Sequence, residues 1–253
     1  MNRDLTSKPV VVPALAPFRA RRHRMAPSPE TPYLPSPLHW MLRLIMGAYP
    51  ALMVRHIHWV DGRRLDKGPH ILVSNHGRVT DGFTLIAHHP GRIHAMIQAE
   101  SFGLPIIGPV FQHSGQIPIA SGKGMEAIDL ARGYLAQGEP VLIYPEGKLN
   151  HGDGMLRGKV GAARLAFESR VPILPVGAYV PPRWSKAVRG RFYDRPTLGY
   201  WQVGGTCYFA VGEPWHPFPP DQEKVDLHQL RLVTDEAMAR IQGLVERARA
   251  VAG

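Results

Sequence analysis

Ile71-Leu-Val-Ser-Asn-His76-Gly-Arg-Val-Thr-Asp81 reads as a short apolar strand that runs into a polar turn and then a helix. The same grammar returns in Val141-Leu-Ile-Tyr144-Pro145-Glu146-Gly147-Lys148, where a strand ends in a turn marked by Pro and Gly. Further strand-like runs, each with branched or aromatic residues and turn signals nearby, are Ile93–Ile97, Gln116–Ile119, Ile173–Ala178 and Cys207–Val211. Between them Met125, Ile128, Ala131 and Leu135 recur three and four apart, as on one face of a helix. Lys159 to Ser169 reads as another helix. Leu230, Val233, Ala237, Ile241, Leu244 and Ala248 make a longer stripe, with Glu236 and Arg240 four apart on its exposed side. Short strands alternating with helices predict an α/β fold, a single domain with a mostly parallel sheet covered by helices. Residues 180–204, richer in Arg, Pro, Gly and aromatics, read as an insertion or long loop, and no internal repeat is visible.

Upstream of this pattern the chain changes character twice. Eight prolines fall between Pro9 and Pro37, and residues 1–39 carry six Lys or Arg against Asp4 and Glu30. Proline removes a backbone donor and fixes φ, so residues 1–37 are expected to form an extended or disordered basic arm. A cleaved signal fits poorly, because Pro13 and Pro17 interrupt the short apolar run Val10–Ala16 and Arg19-Ala-Arg-Arg-His-Arg24 follows it. Residues 38–59 are then almost wholly apolar or aromatic, with His39, Trp40 and Arg43 at one end and Arg55, His56, His58 and Trp59 at the other. Aromatics and cations flanking an apolar stretch suit a helix lying in the headgroup region of a membrane, kinked at Pro50, and they equally suit a first helix packed on the core. The division expected is an arm over 1–37, an interfacial helical segment over 38–59 and a catalytic domain over 60–253.

Composition sets the outer limits. A chain of 253 residues, 44% hydrophobic and 20% charged, is long enough for one α/β domain and short for two. One Cys excludes a disulfide framework or a Cys-based zinc cluster, and Cys207 itself lies in the apolar run Thr206–Val211 and reads as core. No apolar run approaches the 18 or so residues of a membrane-spanning helix. The formal charge is +10, four units of it in residues 1–39, and such an excess favours nucleic acid, an anionic membrane surface or a phosphorylated ligand.

The chemistry centres on His76 and Asp81. Five apart on a continuous helix they would sit about 140° apart around the axis, so they meet only if His76 lies in the turn and Asp81 opens the helix. In that arrangement the carboxylate orients one imidazole nitrogen and leaves the other as a general base. Asp81 as a helix cap and His76 as an ordinary turn histidine are the plain alternatives. Glu146 sits at the carboxyl end of a strand, where open α/β folds bind ligands, although Pro-Glu-Gly also makes sense as turn chemistry alone. Phe111-Gln-His-Ser-Gly115-Gln-Ile-Pro118-Ile119 and Val171-Pro-Ile-Leu-Pro-Val176 could each be buried strands punctuated by proline. Other constellations are weak: His113-Ser114-Gly115 is no nucleophile elbow, Gly152 to Lys159 misspaces the glycines of a phosphate loop, and His88, His89 and His94 lack further ligands at metal-binding spacing and read as solvated or lipid-proximal.

Taken in order, Asn75-His76 with Asp81, Gly115 to Ile119, Tyr144 to Gly147 and Val171 to Val176 resemble the glycerolipid acyltransferases of the 1-acylglycerol-3-phosphate acyltransferase type. That family carries Asn-His-x-x-x-x-Asp, Gly-x-Ile/Phe-Pro/Phe-Ile followed by Arg, Phe-Pro-Glu-Gly, and Val-Pro-Ile-x-Pro-Val, and the likeness covers roughly residues 60–215. It implies transfer of a fatty acyl group from a thioester of coenzyme A or acyl carrier protein to a hydroxyl of a lyso-lipid, most directly 1-acylglycerol-3-phosphate in phospholipid synthesis. His76 would be the general base and Asp81 its support; Asn75, Arg78, Gly115, Pro118, Glu146, Gly147 and Lys148 would contact substrate, with Glu146 positioning the acceptor. Oxyanion donors would come from backbone N–H groups near Ser114–Ile117 or Gly147. No metal or redox cofactor is implied, and the expected place is the cytoplasmic side of a membrane, held peripherally or monotopically.

Two departures bear on the acceptor. Where the family's second and third motifs continue to an Arg, this chain has Ser121 and Leu149. Lys123, Lys148, Arg78, Arg157 and Lys159 are the cations left to meet a phosphate, and Lys lacks the bidentate fork of Arg. A lyso-ornithine or glycolipid acceptor is therefore the alternative within this class. A non-catalytic membrane or nucleic-acid binding protein is the alternative outside it. Such a protein would account for Arg19–Arg24 and leave the His76 and Glu146 motifs unexplained, so no nucleic-acid partner is expected.

Overall fold

The computed structural model describes residues 37–105, 107–150, 154–192 and 195–253, so the proline-rich arm lies, up to residue 36, outside the described residues. Helix α1 (Pro37–Met53) leads into strand β1 (His56–Trp59); then follow β2 (Ile71–Ser74), α2 (Val79–His88), β3 (His94–Gln98), α3 (Ile107–His113), β4 (Ile117–Ile119), α4 (Gly124–Ala136), β5 (Val141–Ile143), α5 (Gly161–Ser169), β6 (Ile173–Tyr179), β7 (Ser185–Phe192), β8 (Arg195–Gln202), β9 (Thr206–Val211) and α6 (Leu227–Ala252). Seven strands form one sheet in the order β1-β9-β6-β2-β5-β3-β4, with β7 and β8 apart as a hairpin. Every pairing in the large sheet is parallel except β6 with β9. The expected helix-covered, mostly parallel sheet is what the chain forms.

Strand residues alternate strictly between the two helical layers. Leu72, Leu142 and Leu174 enter a core shared with α1 and α2, whereas Ile71, Val73, Val141, Ile143 and Ile173 enter a second core shared with α4, α5 and α6. Burial on both faces is why these runs are continuously apolar in sequence. On the second side α6 packs so closely on β6 that a Cβ at Gly177 would lie 2.4 Å from the backbone of Leu244 and Val245. Only glycine permits that approach, and it fixes the height of α6 above the sheet.

Two expectations change here. The helical segment expected over 38–59 ends at Met53, and His56–Trp59 form an edge strand paired in parallel with Thr206–Phe209. Their partner lies some 150 residues away in sequence, so nothing local announces the strand. Residues 180–204, expected as an insertion or long loop, contain the antiparallel hairpin β7–β8, registered from Ser185↔Gln202 to Phe192↔Arg195.

The histidines read as solvated divide differently. His88 is exposed, but His89 and His94 are fully buried. His94 stacks on Tyr134 with ring centres 3.6 Å apart, and its two nitrogens face the Gly115 carbonyl (2.8 Å) and the Glu139 carboxylate (2.6 Å). His89 lies beside the buried His70, with ring centres 5.9 Å apart. Burial, then the neighbouring His89, pushes His70 from 6.5 down to about 4 against a weaker opposing pull from Asp66, and burial likewise lowers His89. Between these limits the unfolded chain binds a proton that the folded chain refuses. The fold is therefore expected to lose stability as pH falls from 6.5 towards 4, by about 3 kcal/mol from His70 and more in the same direction from His89. Urea midpoints at pH 7.5, 6 and 5 read this directly. A His70→Leu variant should flatten the slope, and an unchanged slope would contradict it.

Candidate active site

The carboxyl end of β2 carries the loop that holds His76. Asn75 fastens it to β6: its side-chain amide donates to the Ala178 carbonyl (2.9 Å) and accepts from the Ala178 N–H (2.8 Å). The backbone of His76 is then held from the neighbouring strand. Its N–H donates to Glu146 Oε1 (3.1 Å), and its carbonyl accepts from the Asn150 N–H (2.8 Å). Both loop segments follow parallel strands that are direct neighbours, which is the topological reason the two motifs meet.

Asp81 lies in the first turn of α2 and is buried, and its Oδ2 accepts a 2.7 Å hydrogen bond from the N–H of Arg78 at the helix start. The carboxylate thus does cap the helix. It also lies on the histidine loop, since a Cβ added to Gly77 would stand 3.8 Å from Asp81 Oδ2. His76 in the turn and Asp81 opening the helix is the geometry that a paired role requires. The guanidinium of Arg78 points outward across the loop, donating from Nε to Ser185 Oγ (2.6 Å) and from Nη2 to the Val180 carbonyl (2.6 Å).

Glu146 is buried and its oxygens are engaged. Besides His76 N–H, it accepts from Asn150 Nδ2 (2.8 Å) and from the Leu156 N–H (3.0 Å), both at Oε2. A carboxylate with this set of donors ties together the two loops and the chain at Leu156, a bracing contact that the expectation of an acceptor-positioning Glu146 does not include. Gly147 closes the turn at φ +67°, with its N–H donating to the Tyr144 carbonyl (2.9 Å), and a Cβ there would lie 2.6 Å from Lys159 Nζ. Lys159, rather than the exposed Lys148, is the cation laid across this turn. Lys123 is paired with Glu126 at the start of α4 (3.2 Å).

Gly115 falls elsewhere. Register places it level with His94, at the amino end of the sheet, where its carbonyl meets His94 and an added Cβ would come within 3.0 Å of His94 and Tyr134. The Ser114–Gln116 amides are therefore at the far end of the sheet from His76, while Ile117 is level with Met96 and Val73 but three strands to the side. Pro118, paired with Ile97, is nearer the carboxyl end, but β4 is three strands from β2, roughly 14 Å across at the usual strand spacing.

One contact had no counterpart in the sequence reading. The Tyr144 ring stacks on His76, with ring centres 3.9 Å apart and planes inclined by 15°. Its hydroxyl is buried, meets no hydrogen-bond partner among the described residues, and is held well above its usual pKa by burial and then by the nearby Asp81. The available signal was the Tyr standing where the resembled motif has Phe. Since an unpartnered buried hydroxyl destabilises while the ring supports the imidazole, Tyr144→Phe is expected to stabilise the fold by about 1 kcal/mol without loss of activity. Denaturant midpoints and initial rates check both halves.

Among the described residues no three His, Cys, Asp or Glu side chains gather as a metal-binding group. Cys207 is buried in β9, its thiol pushed up by burial. What the centre offers is a histidine on a doubly tethered backbone, a buried carboxylate against its loop, an aromatic ring stacked on it, and Arg78 and Lys159 on the two loops that meet there.

Known proteins resemble this chain in sequence and in fold. Residues 56–179 match the acyltransferase family model. Human 1-acyl-sn-glycerol-3-phosphate acyltransferase alpha is 30% identical over 138 residues, covering 49% of this chain and 49% of its own length. The human beta form is 32% identical over 121 residues, covering 46% and 44%. The chain thus spans about half the length of the curated relatives it matches. The crystal structure of the 1-acyl-sn-glycerophosphate acyltransferase of Thermotoga maritima superposes with a TM-score of 0.57 over 82% of this chain and 78% of that one, at 17% identity, a likeness of fold.

Proposed function

We propose that this chain, whose residues 56–179 match the acyltransferase family model, moves a fatty acyl group from an acyl thioester to the hydroxyl of a lyso-lipid, 1-acylglycerol-3-phosphate in the first place. The observation that carries the reading is the His76 loop, clamped by Asn75 and Glu146 at the carboxyl end of the sheet with Asp81 buried against it. His76 takes the proton of the acceptor hydroxyl as its oxygen attacks the thioester carbonyl. The tetrahedral intermediate collapses, the C–S bond breaks, and the leaving thiolate recovers the proton from the imidazolium. Asp81 favours the charged imidazolium through its own negative charge, and no nucleophile on the enzyme is needed. Coenzyme A and acyl carrier protein thioesters both fit this chemistry as donors.

The test is a labelled acyl-coenzyme A assay against 1-acylglycerol-3-phosphate, monoacylglycerol, a lyso-ornithine lipid and a lyso-glycolipid. The phosphorylated acceptor is expected to react fastest. A lyso-ornithine lipid or glycolipid consumed at an equal or higher rate would overturn the choice of acceptor while leaving acyl transfer intact, and Ser121 and Leu149 at the family's arginine positions make that arm essential.

The acceptor lives in a bilayer, and α1 supplies a surface for one. No helix among the described residues is long and apolar enough to span a membrane. Leu42 and Met46 anchor α1 on the core, but Trp40 is 63% exposed, Leu44 73% and Leu52 84%. Arg43 lies over the Trp40 ring, and a groove of about 560 Å³ lined by Trp40, Arg43, Leu44, Arg55 and His56 joins apolar to cationic surface. This is the pattern of a helix lying at an interface, and a net charge of +10 directs it to an anionic, cytoplasmic leaflet. A Trp40→Glu/Leu44→Glu variant is expected to lose sedimentation with phosphatidylglycerol-containing vesicles at least tenfold while keeping its activity on detergent-dispersed acceptor. Undiminished vesicle binding would remove α1 from the contact.

A further inference from the structure

A second cavity adjoins the histidine loop on the side of α6. It holds about 200 Å³ and is bordered by Gly77, Arg78, Val180, Ser185, Tyr200 and, from the last turn of α6, Arg249. Asn75 also borders it, so both sequence neighbours of His76 face this space. We propose that it is a phosphate subsite, with Arg249 and Arg78 as its two anchors, and that it receives a phosphate carried by one of the substrates.

Charge supports the assignment. Neither guanidinium is paired with a carboxylate among the described residues: Arg78 reaches Ser185 Oγ and the Val180 carbonyl, and Arg249 lies over the Tyr179 ring, its guanidinium carbon 5.4 Å from the ring centre. The one carboxylate bordering the cavity is Glu146, whose oxygens already accept from His76, Asn150 and Leu156. Two cations uncompensated by a free carboxylate, around a small polar space, select an anion, and the planar fork of Arg fits phosphate oxygens in pairs. Size limits the ligand further. A space of about 200 Å³, partly polar in its lining, suits a small head such as glycerol phosphate.

The positions of these residues explain how the chain manages with Ser121 and Leu149 at the family's arginine positions. Arg249 belongs to none of the four motifs; it arrives on α6, and the contact of α6 with Gly177 sets where that helix lies over β6. Arg78 is held at the helix start by its own backbone bond to Asp81, so the subsite and the histidine loop share a rigid mount. The identity of the phosphate, on the lyso-lipid acceptor or on the coenzyme A donor, rests on the acyl-transfer reading; the affinity of the cavity for phosphate does not.

The experiment keeps the two apart. Calorimetric titration of glycerol 3-phosphate into the full-length His76→Ala protein is expected to show binding that glycerol lacks. Adding Arg249→Ala should weaken it at least tenfold, Arg249→Lys less, and Arg247→Ala, a charge-matched control on the same helix, not at all. In turnover with His76 intact, Arg249→Ala should raise KM far more than it lowers kcat. A rise for 1-acylglycerol-3-phosphate alone assigns the subsite to the acceptor. A rise for acyl-coenzyme A that is absent with the dephospho donor assigns it to the donor's 3′-phosphate. Glycerol 3-phosphate binding equally well with and without Arg249, or equal losses in Arg247→Ala and Arg249→Ala, would overturn the proposal, whether or not the protein proves to be an acyltransferase.

Discussion

His76→Ala is expected to lower acyl transfer by a hundredfold or more and to leave the fold in place. A positioned general base contributes on the order of a hundred- to ten-thousand-fold. The substitution removes only the imidazole. The bonds that shape the loop are made by the backbone of His76 to Glu146 and Asn150 and by the amide of Asn75 to Ala178, and none of them involves the ring. Asp81 keeps its bond to the Arg78 N–H and continues to cap α2. The chief structural loss is the ring stacked on Tyr144, which leaves a small gap. Turnover measured with saturating thioester, beside a denaturant melt of the same preparation, separates the two effects. Retained turnover would exclude His76 as the base, and a collapse in stability matching the loss of rate would leave the chemistry unsupported.

How much of this was legible beforehand depended on whether each partner was near in sequence or of a distinctive type. β2, β5 and β6 stood out because central parallel strands buried on both faces must be continuously apolar, as Ile71–Val73 and Val141–Ile143 are. His56–Trp59 did not, because an edge strand with exposed histidines looks like the polar end of the preceding apolar helix until β9 pairs with it. The β7–β8 hairpin lies outside the large sheet, so its Arg- and Gly-rich strands lack the apolar signature of the core strands. At the site, the placement of His76 in a turn and of Asp81 in the first turn of α2 was readable, because a short strand ending in polar residues just ahead of a helical pattern leaves them there. Glu146 stands out in the sequence, but its bracing partners do not: its donors are the backbone N–H groups of His76 and Leu156 and the amide of Asn150, and backbone groups leave no mark in a sequence. Gly115 sits in a recognised motif, yet the parallel register carries it to the far end of the sheet, where it makes room for His94 and Tyr134. Arg249, one more cation on an amphipathic helix, could be singled out only once α6 was laid on β6.

The largest effect on stability, with a loss of rate beside it, is expected from Glu146→Ala. The buried carboxylate satisfies three donors from three places in the chain, the His76 N–H at 3.1 Å, Asn150 Nδ2 at 2.8 Å and the Leu156 N–H at 3.0 Å. Removing it strands those donors, and each buried donor left without an acceptor costs about 1–3 kcal/mol, more where the lost partner was charged. Partial rescue by water entering from the neighbouring cavity lowers the sum, so about 3 kcal/mol is expected in a denaturant midpoint. The kinetic signature distinguishes a brace from a substrate ligand. If Glu146 held the acceptor, its loss would appear chiefly in the KM of the acceptor. Because it holds the backbone of His76, its loss should appear in kcat, with KM for acceptor and donor changing much less. Glu146→Gln sharpens the test. The amide is nearly the same size, but it offers one acceptor oxygen and a nitrogen that must confront either the His76 N–H or the pair of donors at Oε2, so isosteric replacement should rescue little. Full activity in Glu146→Gln, or a defect confined to acceptor KM in Glu146→Ala, would return this carboxylate to the substrate and leave the histidine loop to be held by Asn75 and Asn150 alone.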